Sequence, residues 1–307
     1  MKLDFLINPI NGLKLDQKEI KYFSGVPDLF IDDENPLTST QSSFYNDVKF
    51  PNYDDIDNFG TLIEKSSKSI FAKKLDYEIP FQSNILEAGC GTGQLSIALS
   101  RYGRKIHSID LSKGSLLEAK NFCEKNNIKN VNLYRMNIFN LYFPKNYFDV
   151  IISNGVLHHT HNPKLAFNKL LECLKPNGKI IIGLYHKHGR IIQNIRQFLI
   201  KLFGEKLKFI DKRFLENISD KKKYAWFKDQ YCNPHESKHT YHEVINWFQE
   251  NKVEFINSLP FNFDTSDKIF DKKPILSKSN LFFKEYSLIF DSRQIYEGGF
   301  FVMIGKK

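Results

Sequence analysis

The chain has 307 residues, of which 41% are hydrophobic, and a formal net charge of +9 from 44 Lys and Arg against 35 Asp and Glu. That is enough for about two domains with full cores, with no run near the ~20 apolar residues a membrane-spanning helix needs. Four scattered cysteines, Cys90, Cys123, Cys173 and Cys232, have no C-x-x-C spacing and exclude a disulfide framework. The positive excess is nearly all lysine in a chain also rich in Asn, Ile and Phe, so it reads as compositional bias rather than as a nucleic-acid surface.

The chain opens M-K-L-D-F-L-I-N-P-I-N, with an acid and two asparagines where a signal peptide keeps its apolar stretch, and the expected location is cytoplasmic. Residues 1–40 read as a small separate β unit, with two short extended stretches and turns at Asn11-Gly12 and Ser24-Gly25. Residues 41–60 are polar but carry Phe44, Tyr45, Phe50 and Tyr53 around Pro51, which suits either a loop packed on the core or a lid over a binding site. From Thr61 to Leu75, Leu62, Ile63, Ile70 and Phe71 predict a helix leading into the first strand.

The stretch N-I-L-E-A-G-C-G-T-G-Q-L-S, residues 84–96, reads as strand, tight turn and helix. Three alternate glycines allow positive φ and close approach of a ligand to main-chain atoms, and the helix N-terminus behind them offers unpaired N–H groups. A dinucleotide fingerprint would need its third glycine where Gln94 stands. The pattern is instead E-x-G-x-G-x-G. Here the chain resembles the S-adenosylmethionine-dependent methyltransferases of the Rossmann-like class, whose first motif Glu87, Gly89, Gly91 and Gly93 match position for position, with Cys90 inside the turn. The resemblance implies that S-adenosylmethionine is the cofactor. An acid at the strand end fits a ligand with an ammonium and a sulfonium and no pyrophosphate.

K-I-H-S-I-D then gives a second strand ending at Asp110, followed by Leu111, about 20 residues past the glycines, where a nucleotide fold places the carboxylate that binds ribose hydroxyls. Ser112 caps the next helix. The third strand leads to Asn137 and Ile138; the resemblance implies contact with adenine there, through an amide where many relatives have an acid. F-D-V-I-I-S-N-G-V-L-H-H is a fourth, doubly buried strand that ends at Asn154. Asn162-Pro163 starts a helix, and the turn K-P-N-G feeds the fifth strand, K-I-I-I-G-L-Y. Five strands alternating with helices make a doubly wound α/β sheet, and the resemblance, which covers about residues 60–185, implies seven strands, mostly parallel, with the last antiparallel.

The expected divisions are a cofactor-binding core at 61–185, a helical insertion with acceptor-pocket residues at 186–252, and the last two strands with an inserted helical piece near Leu281 to Phe290 at 253–307. Helices are expected from Arg190 to Phe203, from Asp220 to Gln230, and from Tyr241 to Asn251 behind a Thr240/Glu243 capping box. The first carries Ile191, Ile195, Phe198, Leu199 and Leu202 on one face; such a stripe packs on its own domain or lies on a membrane, and packing is expected.

The N-terminal unit also resembles small zinc-ribbon-like domains associated with some methyltransferases, but Asn8 and Asn11 stand in the cysteine places, so no metal is expected there. Cys232, His235, His239 and His242 are close in sequence, but Pro234 and the following helix start break a ligand geometry, and no metal is expected there either. The stretch W-F-K-D-Q-Y-C-N-P-H-E, residues 226–236, with Asp229, Tyr231, His235 and Glu236, is read as lining the acceptor pocket, for its density of hydrogen-bonding side chains just ahead of a core strand. The general-base candidates are His158, favoured over its neighbour His159, and then Tyr231 and His235. The expected function is direct methyl transfer to a small-molecule or lipid-linked acceptor. The alternatives are an RNA methyltransferase and a non-catalytic cofactor-binding partner subunit; oligomeric state is open.

Overall fold

The computed structural model describes residues 3–49, 51–290 and 299–307, apart from the side chains of Lys212 and Phe290; Phe50, one of the expected lid aromatics, lies outside the described residues. Its spine is one sheet. The strands are β1 (Lys21–Phe23), β2 (Val26–Asp28), β3 (Asn84–Ala88), β4 (Lys105–Asp110), β5 (Val131–Arg135), β6 (Phe148–Asn154), β7 (Leu174–Tyr185), β8 (Glu254–Leu259) and β9 (Phe300–Lys306). They lie in the order β1-β2-β5-β4-β3-β6-β7-β9-β8. The pairs from β2 through β7 are parallel, and β9 runs antiparallel between β7 and β8. The sheet reverses its winding between β3 and β6, so a crevice opens at the carboxyl ends of these strands.

Nine strands replace the expected seven because the N-terminal hairpin is not set apart. Ser24 and Gly25 take φ of 45° and 76°, which closes β1 on β2 in a tight turn. β2 then extends the sheet edge: Leu29 N–H donates to the Arg135 carbonyl at 2.8 Å, and the Arg135 guanidinium grips Asp28 at 3.1 and 3.2 Å. Asn8 and Asn11, in the cysteine places of the ribbon resemblance, use their side-chain oxygens to accept from Ile10 N–H and Leu13 N–H, which makes local turns.

Ten helices pack around the sheet among the described residues: α1 (Pro36–Asp47), α2 (Phe59–Lys68), α3 (Ile70–Glu78), α4 (Gln94–Leu99), α5 (Lys113–Lys125), α6 (Pro163–Cys173), α7 (Ile191–Phe203), α8 (Asp220–Tyr231), α9 (Tyr241–Glu250) and α10 (Lys278–Phe290). The helix expected from Thr61 to Leu75 is two, because Ser69 leaves helical geometry and caps α3 with its hydroxyl. Part of the expected lid is α1, started by Asn35 as N-cap and Pro36 at the first position. The Thr240/Glu243 capping box forms as expected. Adjacent residues of β3 feed opposite layers: Leu86 joins a core with Phe148, Phe167, Tyr241 and Phe248, and Ile85 joins one with Leu62, Ile97, Ile106 and Leu116. The K-P-N-G turn falls within β7, where the pairing with β6 jumps from Phe148↔Leu174 to Val150↔Lys179.

Candidate active site

One cavity of about 480 Å³ opens at the carboxyl ends of the central strands, within the range of small-molecule sites. At one end lie the glycine turn and the ends of β4, β5 and β6. Gly89, Gly91 and Gly93 all have positive φ, 77°, 54° and 75°. A Cβ on Gly89 would come within 2.3 Å of the Val156 side chain, so this position admits only glycine. Asp110 orders the turn: its carboxylate accepts from Gly91 N–H at 2.7 Å and from Ser112 N–H at 2.8 Å. Burial raises its pKa, and these backbone donors oppose the rise. Glu87, one residue before the end of β3, is buried, with the Ser96 hydroxyl donating to it and Ser108 linked behind at 2.6 Å. Burial is the larger influence and pushes Glu87 up to about 7.

Glu87, Gly89, Cys90, Gly91, Asp110, Leu111, Asn137, Ile138 and Asn154, all expected from the sequence, line this cavity. Gly93 does not; it is the N-cap of α4, and a Cβ there would press on Ala119 at 3.1 Å. Asn137 turns the chain by accepting from Phe139 N–H at 3.1 Å. Asn154 Oδ1 is buried without a hydrogen-bond partner, and its place depends on Gly183, where a Cβ would meet that oxygen at 2.2 Å. The open acceptor on Asn154, the Glu87 carboxyl and the Asp110 carboxylate suit a cationic amino-acid moiety joined to a nucleoside.

The other end is assembled from distant segments: Tyr45 of α1, His159 after β6, Tyr185 at the end of β7, Trp226, Asp229 and Gln230 of α8, and Phe300 at the start of β9. Tyr45 Oη donates to Asp229 at 3.1 Å and accepts from Asn233 Nδ2 at 2.9 Å. Gln230 Nε2 donates to Asp229 at 2.8 Å and to Tyr185 Oη at 2.9 Å. Beneath Tyr185 lies buried Arg190, its guanidinium 3.8 Å from the ring centroid and paired with Glu236. The expected lid segment also fastens to the glycine turn: Tyr53 Oη donates to the Thr92 carbonyl at 2.7 Å, and Gln94 Nε2 donates to the Asn52 carbonyl at 2.7 Å.

The histidines fall out differently from the expectation. His158 is fully buried and does not line the cavity; His159 does. Leu157–His159 makes a tight 3-10 turn that leaves His158 behind His159, where its ring lies tilted against Tyr185 at 4.2 Å between ring centroids. His159 Nδ1 donates to the His235 carbonyl at 2.8 Å, which leaves Nε2 to accept from His158 Nε2 at 3.1 Å when both rings are neutral. Burial lowers both pKa values and keeps them neutral. His235 therefore contributes through its backbone, and Tyr231 is turned away, donating to Asp211 at 2.8 Å. Of Asp229, Tyr231, His235 and Glu236, the residues singled out within the expected acceptor stretch, Asp229 alone reaches the cavity; Glu236 is taken by Arg190. Trp226 and Gln230, inside the stretch expected to line the acceptor pocket, do line the cavity, whereas Tyr185 and Phe300 were not among the expected site residues. For Tyr185 a signal exists, its place at a parallel strand's carboxyl end.

Cys232, His235, His239 and His242 do not converge: His239 bonds Ser237 and Glu243, and Cys232 is exposed. Among the described residues one set of three potential metal ligands lies together, His186, His188 and Glu285. There Gly189 N–H donates to His186 Nδ1 at 3.3 Å, so Nε2 carries the proton and donates to Glu285 at 3.0 Å. The polarity is that of a hydrogen-bonded clasp tying α10 to the end of β7, since a metal on Nε2 needs the proton on Nδ1.

Residues 82–252, more than half of the chain, match a protein family described as "Methyltransferase domain". The chain belongs to this family and to the S-adenosylmethionine-dependent, Rossmann-like class of methyltransferases, so the residues described above fit the cofactor the class uses. It is 35% identical over 114 residues to the mitochondrial ubiquinone biosynthesis O-methyltransferase of Dictyostelium discoideum, covering 34% of this chain and 36% of that protein. It is 27% identical over 126 residues to the ubiquinone biosynthesis O-methyltransferase of Coxiella burnetii, covering 41% and 51%. The matches thus span about a third to a half of those relatives. The fold is similar to that of PKMT2 from Rickettsia typhi, with a TM-score of 0.56 at 18% identity over 78% of this chain and 53% of that one.

Proposed function

We propose that this protein transfers a methyl group to a small, ring-bearing or lipid-linked acceptor, at an oxygen or nitrogen, by direct in-line displacement. The observation that carries the reading is the continuity of the cavity: one space is bounded by the glycine turn and Asp110 at one end and by His159, Tyr185, Asp229 and Phe300 at the other. When bound, S-adenosylmethionine supplies an electrophilic methyl on a sulfonium. Asp110 and the glycine turn hold the nucleoside side, Glu87 and Asn154 the amino-acid side, and Tyr185, Trp226 and Phe300 give an aromatic wall on which an acceptor ring can lie. Asp229, already fixed by Tyr45 and Gln230, offers a carboxylate to an acceptor hydroxyl or amine. His159 takes the acceptor's proton at Nε2, releasing the His158 contact as it does so. His158 is a positioning residue that holds His159 in the tautomer with Nε2 unprotonated. The named relatives support a quinone-like acceptor and transfer to oxygen.

The test is transfer of labelled methyl from S-adenosylmethionine to hydroxylated rings with and without an isoprenoid tail, alongside phenolic amines and total RNA. Label on a ring hydroxyl or amine supports the reading. Label on RNA alone, or on nothing while the cofactor still binds, overturns it.

A further inference from the structure

The helical insertion that completes the cavity also carries a surface that the fold leaves uncovered. α7 sits with its amphipathic pattern reversed: it buries Gln193 and Ile200 and turns Ile195, Phe198 and Leu202 outward, at 50, 64 and 61% exposure. Ile191, Ile195, Phe198 and Leu202 follow helical spacing and share one face. The expected packing of this stripe on its own domain is therefore not what the structure has. A mixed side docks instead, with Gln193 and Ile200 buried and Gln197 Nε2 donating to the Gln230 carbonyl at 2.7 Å. The 3-10 helix Glu205–Ile210 packs against α7, and Lys212–Leu215 packs against that helix in turn. They add Phe209 and Leu215, 57 and 71% exposed. Large apolar side chains grouped this way on a surface mark an interaction site.

Charge indicates what covers it. Between residues 191 and 231 the chain has ten Lys and Arg against five acids, and two of those acids, Asp211 and Asp229, are buried. Lys201, Lys206, Lys208 and Lys221 are exposed. A second copy of this chain would bring cation against cation, and nucleic acid leaves the apolar face unexplained. Apolar side chains flanked by lysines fit the boundary between headgroups and acyl chains of an anionic bilayer. No helix among the described residues is long and apolar enough to cross a membrane, so the contact lies in the plane of the surface.

We infer that α7 and the two 3-10 helices after it dock on an anionic phospholipid surface, with Phe198 and Leu202 in the interface and the lysines among the headgroups. α8, in the same insertion, lines the cavity through Trp226 and Asp229, so docking would place the acceptor end of the site on the membrane-bound segment. That last step rests on the lipid-linked reading of the acceptor; docking itself does not.

The test is flotation of the full chain with vesicles of phosphatidylcholine alone or with about a third phosphatidylglycerol, without cofactor or acceptor, so its outcome is separate from that of the methyl-transfer assay. Binding is expected to the anionic vesicles only, weakening as salt rises. Phe198→Glu with Leu202→Glu should weaken it roughly tenfold or more, as should Lys206→Glu with Lys208→Glu, with circular dichroism and cofactor affinity unchanged. The inference is overturned if the wild-type chain does not float with anionic vesicles, or if both double variants float as it does. It is equally overturned if Phe198→Glu with Leu202→Glu splits a dimer in light scattering and leaves flotation intact.

Discussion

The two ends of the cavity are built by different means. The cofactor end comes from loops that leave adjacent parallel strands: the turn after β3, the end of β4, and the residues just past β5 and β6. Each position is set by a strand register and a local backbone requirement, such as Gly89 against Val156 or Asp110 on Gly91. The acceptor end is a convergence. Tyr45 and Asp229, which touch there, are 184 residues apart in the chain, and Phe300 arrives because β9 runs antiparallel and so begins at the edge where β7 ends. The first end follows from strand register and the backbone geometry of one motif, and the second depends on side-chain bonds between elements far apart in the chain.

The largest effect that tests this contrast is at Asp110. Asp110→Ala removes the acceptor that orders Gly91 and a carboxylate suited to ribose hydroxyls, so cofactor affinity should fall on the order of a thousandfold by calorimetry, at two charge-assisted bonds of about 1.5–3 kcal/mol each. Circular dichroism should be unchanged. An affinity near that of the wild type would show that the cofactor end is not organised by this residue.

Next is His159. His159→Gln should lower kcat roughly hundredfold on whichever acceptor takes the label, leaving cofactor affinity alone. Because burial lowers the pKa of His159 below that of an ordinary histidine, the base stays neutral as pH falls, and the acid limb of the rate profile should lie below the usual histidine range of about 6.5. A limb at or above that range, or an unchanged rate in the variant, would remove the base role.

A smaller effect separates the ends by pH. Glu87 is raised to about 7 by burial, so the empty protein holds it protonated below that value, whereas a bound ammonium favours the carboxylate. Binding then expels a proton, and affinity should climb about tenfold per pH unit up to about 7 and level off above it. The same raised pKa means that this group's contribution to folding is fully present below the unfolded value near 4.5 and is lost as pH rises through about 7. Glu87→Gln should flatten both dependences while weakening binding. Calorimetry in buffers of different ionisation enthalpy detects the proton directly; no release below pH 7 would contradict the assignment of Glu87 to the ammonium.

How much of this could be read from the chain follows the same division. The glycine turn, Asp110 and Asn154 were legible because their roles are fixed within a few residues of a strand end, where spacing is informative. Gly93 was legible as part of the motif but not as a helix cap away from the cavity, since alternate glycines do not say which face the ligand. The sequence favours His158 over His159 and the structure reverses that order, because a 3-10 turn of three residues decides which ring reaches the cavity. Tyr231 and His235 stand out in the sequence for the density of hydrogen-bonding side chains just ahead of a core strand, but α8 presents Asp229 and Gln230 to the cavity and turns Tyr231 to Asp211. The outward face of α7 was equally closed to sequence reasoning, since a helical period gives an apolar stripe without saying which way it points.

The smallest effect tests how the acceptor end is held. Tyr45 is the one side chain of α1 that bonds α8 directly, donating to Asp229 at 3.1 Å, and it also accepts from Asn233 just beyond. Burial is the main reason its pKa stands well above the ordinary value, with Asp229 adding to the rise, so the phenol stays a donor across the working range. Tyr45→Phe keeps the ring's contacts with Phe44 and His159 and deletes only the hydroxyl. A single bond to a charged partner is worth about 1.5–3 kcal/mol, but α1 retains Ser112 Oγ on the Tyr45 carbonyl and Gln41 on Asn233, so the net loosening should come to only about 1 kcal/mol. Amide exchange in α1 should therefore speed up about fivefold, while amides of the glycine turn and the cofactor affinity stay at wild-type values. If exchange quickened equally at both ends, α1 and the cofactor turn would open as one unit, and the acceptor end would not be the separately held half of the site.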